Sequence, residues 1–191
     1  GDGGSALTDA DIIMDFQDGT DVIGLDGLTF VELTITQGTG SNSSHTIIRI
    51  TSSGEYLAIL QNISASNISI LDFSSTATTA QTLNGTSGND SKVGGAGNDT
   101  FNGGAGNDTL LGHGGDDVFN VTNKSGAFND IIDGGAGTDS LSISYPGVSS
   151  LGDFISYTFD STTGYATLTD ASGSTVNFKN TESLTVGSYA Y

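Results

Sequence analysis

Short apolar runs alternating with polar residues, each bounded by Gly, Ser, Asn or Asp, fill much of the chain and predict strands rather than helices. In the first third these runs are Asp11–Phe16, Asp21–Leu25, Leu28–Thr36, Thr46–Thr51, Glu55–Gln61 and Ile68–Phe73. They are rich in Val, Ile, Thr and Phe, which suit a pleated, half-buried surface. Thr46 to Leu60 reads as a hairpin turning at Ser52–Gly54. No segment sustains a helical apolar period beyond about two turns, so helix is expected to be scarce. Residues 76–82 are small, polar and unpatterned, the composition of a linker. Near the end, Phe154–Phe159, Tyr165–Thr169 and Thr175–Phe178 are separated by the turn-forming segments Asp160–Gly164 and Asp170–Ser174, which predicts an antiparallel meander.

Between these regions the pattern changes to a period of nine. Gly85–Val93, Gly94–Asn102, Gly103–Leu111 and Gly112–Asn120 follow one another without a gap. Val121 to Lys124 interrupt them and read as a loop-out. A degenerate copy, Ser125–Asp133, and a full one, Gly134–Ser142, then resume in frame. The expected organisation is all-β: a β-rich region over 1–75, a linker over 76–82, a repeat array over 83–142 and an antiparallel meander over 143–191.

Charge sharpens this reading. Four Lys+Arg face 22 Asp+Glu, a formal net charge of -18, and 19 of the acids are Asp set among 29 Gly. Asp and Gly favour turns, so the negative charge is expected to sit in turns. Such a charge opposes compaction unless a cation neutralises it. So few basic residues cannot neutralise a phosphate backbone or bind an anionic bilayer, which excludes nucleic acid and argues against membranes as partners. With no cysteine there is neither a disulfide nor a thiolate metal site. No apolar run approaches the ~20 residues of a membrane span, and no basic, apolar leader opens the chain.

The repeat reads Gly-Gly-x-Gly-x-Asp-x-(apolar)-x and resembles the hemolysin-type, or RTX, nonapeptide, found in large secreted bacterial surface proteins. The resemblance implies a parallel β-roll in which six residues turn, three form a strand, and two nonapeptides complete a coil. It implies several calcium ions, on the order of four, held between stacked turns by carboxylates and inward carbonyls. The implied ligands are Asp90, Asp99, Asp108, Asp117, Asp130 and Asp139, the glycines 94, 95, 97, 103, 104, 106, 112, 114, 134, 135 and 137 (Gly94, Gly95, Gly97, Gly103, Gly104, Gly106, Gly112, Gly114, Gly134, Gly135, Gly137), and Asn98, Asn107 and Asp116. Each hard oxygen suits calcium, and glycine lets the backbone adopt left-handed angles. Coils of 18 residues would set Asp90 near Asp108 and Asp99 near Asp117, and would point Phe101, Leu110, Phe119, Ile132 and Leu141 into a thin core. Lys92 and Thr86 depart from the pattern, so 85–93 is expected to cap the roll. His113 takes a glycine slot.

The segment Asp11–Leu25 resembles the piece that closes an RTX roll, in which Asp11, Asp15, Asp18 or Asp21 could hold a further ion. The chain therefore looks like a slice of a longer tandem protein, or a subunit that adds head to tail. No catalytic constellation is apparent: His45 sits in a polar loop expected to face solvent, His113 lies in a repeat turn, and no serine lies in a nucleophile elbow. The sequons at Asn62, Asn67, Asn84 and Asn123 carry little weight in so Asn- and Ser-rich a chain. The expected function is an extracellular or cell-surface structural protein, exported by type I secretion, that folds on calcium and self-associates into a layer, fibre or matrix. The alternative is the calcium-dependent secretion and folding module of a larger RTX toxin, adhesin or hydrolase.

Overall fold

A computed structural model describes residues 4–25, 28, 30–75, 77–122 and 124–191. Thr29 of the expected strand Leu28–Thr36, Thr76 of the expected linker and the sequon Asn123 lie outside the described residues. The chain divides into two compact units, residues 1–75 and 76–191. Among the described residues the only helices are single 3-10 turns.

The first unit contains β1 (Asp11–Ile13), β2 (Ile23–Leu25), β3 (Leu33–Gln37), β4 (Thr46–Ile50), β5 (Tyr56–Leu60) and β6 (Phe73–Ser75). One sheet runs β1-β5-β4-β3, and β2 pairs with β6. β4 and β5 form the expected hairpin, whereas β1 joins β5, and β2 joins β6, in parallel. Ile48, Leu60 and Phe73 are almost fully buried and, with Phe16 and Leu25, make the core. Two expected strands are shortened by 3-10 turns, at Phe30–Glu32 and Ile70–Asp72. The second has a clear cause. The Ser69 N–H donates to Asp72 Oδ2 at 2.8 Å and the Leu71 N–H to Ser69 Oγ at 3.2 Å, which diverts backbone donors from a strand ladder.

The second unit is a parallel roll. Its strands are β7 (Thr82–Asn84), β8 (Ser91–Val93), β9 (Thr100–Asn102), β10 (Thr109–Leu111), β11 (Val118–Thr122), β12 (Asn129–Asp133), β13 (Ser140–Ser144), β14 (Phe154–Phe159), β15 (Ala166–Asp170), β16 (Thr175–Lys179), β17 (Ser183–Val186) and β18 (Tyr189–Ala190). From β7 to β14 they alternate between two six-stranded sheets, β14-β15-β16-β12-β10-β8 and β18-β17-β13-β11-β9-β7; β15 and β16 then stay in the first, and β17 and β18 in the second. Leu83, Phe101, Phe119, Leu141 and Leu184 stack in register on one side, and Lys92, Leu110, Ile132 and Phe178 on the other. The rings of Phe101 and Phe119 are parallel within 11° at 4.6 Å.

Three features differ from the sequence reading. Residues 77–84 make the first half-coil: the Ala96 N–H donates to the Ala77 carbonyl, and β7 pairs with β9. The nonapeptide 85–93 is therefore not the outermost turn. At the interruption, Val121 and Thr122 prolong β11 instead of looping out. Val121 is buried and aligns with Ile143 of β13, which in turn aligns with Val186 of β17, so the extra residues widen the core. The tail is only partly a meander. β14, β15 and β16 are antiparallel neighbours, but β16 and β17 return to stack in parallel on β12 and β13.

The two units share a strand plan. In the first, β1 runs parallel to β5, β5-β4-β3 is antiparallel, and β2 runs parallel to β6. In the second, β12 runs parallel to β16, β16-β15-β14 is antiparallel, and β13 runs parallel to β17. The turns ahead of β2 and β13 both contain Gly-Thr-Asp, at Gly19–Asp21 and Gly137–Asp139. β12 and β13 also pair on their other side, with β10 and β11, whereas β1 and β2 are edge strands.

Candidate metal centre

Each repeat turn brings its own Asp back beneath its first glycine. A Cβ placed on Gly103 would stand 2.5 Å from Asp108 Oδ2, and one on Gly134 would stand 2.6 Å from Asp139 Oδ2, so a side chain would fill the cradle. A Cβ on Gly94 would lie 2.7 Å from the Gly112 carbonyl oxygen, one coil on. In three of the turns the second position is in left-handed backbone. Gly104 and Gly135 have φ of 89° and 97°, and His113 adopts φ of 70° in the same slot at a cost that glycine avoids.

The coils are tied together by two columns of carboxylates. In the first, the Gln81 N–H donates to Asp99 Oδ1 at 2.8 Å, Asp99 N–H to Asp117 Oδ1 at 2.7 Å, Asp117 N–H to Asp139 Oδ1 at 2.8 Å, and Asp139 N–H to Glu182 Oε2 at 2.7 Å. In the second, the Asp90 N–H donates to Asp108 Oδ1 and the Asp108 N–H to Asp130 Oδ1, each at 3.0 Å. Asp99, Asp108, Asp117, Asp130 and Asp139 are each only 1% exposed. Buried anions of this kind need a counter-charge.

The columns differ in where that charge comes from. In the second, Lys124 Nζ lies 2.7 Å from both Asp108 Oδ2 and Asp130 Oδ2 and donates to the Gly106 carbonyl at 3.2 Å. Lys92 stands 3.9 Å from Asp90. Along the first column no ion pair with a basic side chain is found among the described residues, and the buried Oδ2 atoms of Asp117 and Asp139 have no hydrogen-bond partner. Burial pushes the Asp117 carboxyl up to about 6; the Asp99 N–H opposes this, and repulsion from Asp139, Asp99 and Asp116 adds to it. Burial likewise raises Asp139, with Glu182, Asp116 and Asp133 adding repulsion.

Orphaned carboxylate oxygens in a glycine-lined cradle fit a hard cation that accepts mixed carboxylate and carbonyl ligands, and calcium is such an ion. Among the described residues no group of three acidic, His or Cys side chains converges on one point. A metal in these turns would therefore draw much of its coordination from the backbone. Bound there, calcium would supply the positive charge that the first column lacks.

The fold and its columns define a parallel β-roll with an uncompensated anionic face. Residues 84–119 and 124–142 match the family model of the RTX calcium-binding nonapeptide repeat, in four copies. These residues are RTX nonapeptides, repeats that bind calcium. No curated protein matches the chain.

The other candidate ligands fall elsewhere. The side-chain oxygens of Asn98, Asn107 and Asp116 each accept a backbone N–H from the next coil, from Asp116, Asn129 and Thr138 respectively, at 2.9 Å. Asp21 Oδ2 accepts the Gln17 N–H at 2.8 Å, just as Asp99 Oδ2 accepts that of Gly95 at 3.0 Å, so the turn of the first unit has repeat-like geometry. Asp11, Asp15, Asp18 and Asp21 are all exposed. His45 is half-buried rather than solvent-facing, because its Nδ1 accepts the Asn62 N–H at 3.0 Å. Glu182 and Lys124 join the two columns, and the sequence reading did not select them. Asn180-Thr-Glu-Ser-Leu184 parallels Gly137-Thr-Asp-Ser-Leu141, and that similarity marks Glu182 as the terminal carboxylate of the column.

Proposed function

We propose that this protein is an extracellular structural module that folds around calcium and then assembles with copies of itself or with neighbouring nonapeptide arrays. The observation that carries the proposal is the column of buried carboxylates Asp99–Asp117–Asp139, ending at the exposed Glu182, which has no basic partner among the described residues. Where calcium is scarce, as inside a cell, these carboxylates repel one another and the chain stays expanded and exportable. Extracellular modules bind calcium with dissociation constants of ~0.1–1 mM, so export would itself trigger folding and metal affinity would become folding free energy.

Assembly is supported by the strand plan. The first unit has the order that closes the roll in the second, yet β1 and β2 are edge strands, as are β7 and β8 at the start of the roll. Such edges template further strands, and contacts that do not close on themselves build filaments or layers. Electron microscopy and sedimentation with and without calcium test this half. Calcium-dependent filaments or sheets are expected. Monomers persisting at high concentration in millimolar calcium would refute self-assembly and favour a folding module within a larger protein.

A further inference from the structure

The four residues that break the nonapeptide period carry one basic residue, Lys124, and its ammonium is 1% exposed. It sits between two successive coils, against a fourth-position carbonyl (Gly106) and two sixth-position carboxylates (Asp108 and Asp130). These are the oxygen types that a metal between stacked turns would use. The following turn is not built as a metal cradle. Ser125 replaces the first glycine and Phe128 the fourth, and the Phe128 ring is buried against Tyr145 at 5.1 Å and lies 4.8 Å from the ammonium. The insertion thus supplies both a cation and an aromatic floor for it.

We propose that Lys124 is a resident cation that takes the place of calcium between Asp108 and Asp130, so that this step of the roll is partly neutralised by the chain itself and calcium loads mainly the opposite column, Asp99–Asp117–Asp139–Glu182. The inference rests on the calcium reading above and refines it. The roll is electrostatically one-sided. The second column is neutralised in part, at Asp90 by Lys92 and at Asp108–Asp130 by the single ammonium of Lys124 set against two carboxylates, while the first has no basic partner among the described residues and depends on metal. Coil-to-coil contact at β10 and β12 can then form before calcium arrives and give the remaining coils a template.

Counting bound calcium on the full chain by native mass spectrometry, with isothermal titration for affinity, tests this. Asp117→Asn should lose at least one ion, whereas Asp130→Asn should keep the wild-type number. Lys124→Gln, folded in calcium, should gain one ion. Loss of an ion in Asp130→Asn, or an unchanged count in folded Lys124→Gln, would overturn the inference. If Lys124→Gln does not fold, the contrast between Asp130→Asn and Asp117→Asn decides the question alone. A wild-type chain that binds no calcium would sink the calcium reading itself and the inference with it. A wild type that binds calcium but loses an ion in Asp130→Asn leaves that reading intact and removes only the role of Lys124.

Discussion

The backbone N–H of Asp99 donates to Oδ1 of Asp117, 18 residues later, at 2.7 Å, while Oδ2 of Asp117 is buried with no partner. One oxygen of the carboxylate therefore holds two coils together and the other faces the cradle. On the proposed calcium reading the same carboxylate would serve structure through one oxygen and metal binding through the other, and the two roles can be separated.

Asp117→Asn keeps an acceptor for the Asp99 N–H and removes the buried charge. In EDTA the variant is expected to be more stable than the wild type. In calcium it should be less stable, with an affinity lower by roughly tenfold or more, or about 1.4 kcal/mol per tenfold. Thermal melts with and without calcium check this. Little change in either condition would mean that Asp117 acts only as a structural acceptor, since the asparagine oxygen keeps that bond.

The raised Asp117 and Asp139 carboxyls set a pH dependence. For a carboxyl whose folded value lies above its unfolded one, the protonated form is favoured by folding. Its contribution is fully present below the unfolded value near 3.8 and is lost as pH rises through the folded value of about 6 for Asp117. Metal-free roll should therefore lose stability between about pH 4 and pH 6 from these groups. Calcium needs the ionised form, so its affinity should rise across the same interval. Melting temperatures in EDTA and in calcium at pH 5 and 7.5 should move in opposite directions.

Phe119 is fully buried and stacked on Phe101 in the thin core between the sheets. Phe119→Ala is expected to cost roughly 3–5 kcal/mol, read by denaturant unfolding in saturating calcium. A cost of about 0.5 kcal/mol or less, the size of a surface change, would mean that this packing contributes little.

His113 pays for a left-handed backbone that glycine adopts freely, with φ of 70°. His113→Gly should stabilise the roll by up to ~1 kcal/mol. Gly104→Ala, at φ of 89° with a Cβ driven into the Thr86 carbonyl, should destabilise it strongly. Melting curves of the two variants in calcium should shift in opposite directions.

Much of the roll is legible in the sequence because its chemistry is local and periodic. Phe101, Leu110, Phe119, Ile132 and Leu141 recur at the same place in the five nonapeptides after 85–93 and are all buried in the core. The pairings of Asp90 with Asp108 and of Asp99 with Asp117 follow from the 18-residue coil. What escapes is non-local or carried by the backbone. Glu182 reaches Asp139 across 43 residues, a distance at which no local period operates. β16 and β17 alternate like any short strand, and alternation does not reveal whether the partner is parallel or antiparallel. Residues 77–81 pack through main-chain bonds such as Ala96 N–H to the Ala77 carbonyl, so their featureless composition reads as a linker. Lys124 escapes because its role depends on two carboxylates from different coils.

Circular dichroism during calcium titration of EDTA-stripped protein tests the central claim most directly, with magnesium as the control. A cooperative gain of β-structure near millimolar calcium, not reproduced by magnesium, is the expected result. An unchanged β spectrum in EDTA and in calcium would contradict it, since the buried carboxylates of Asp99, Asp117 and Asp139 would then tolerate their charge without metal.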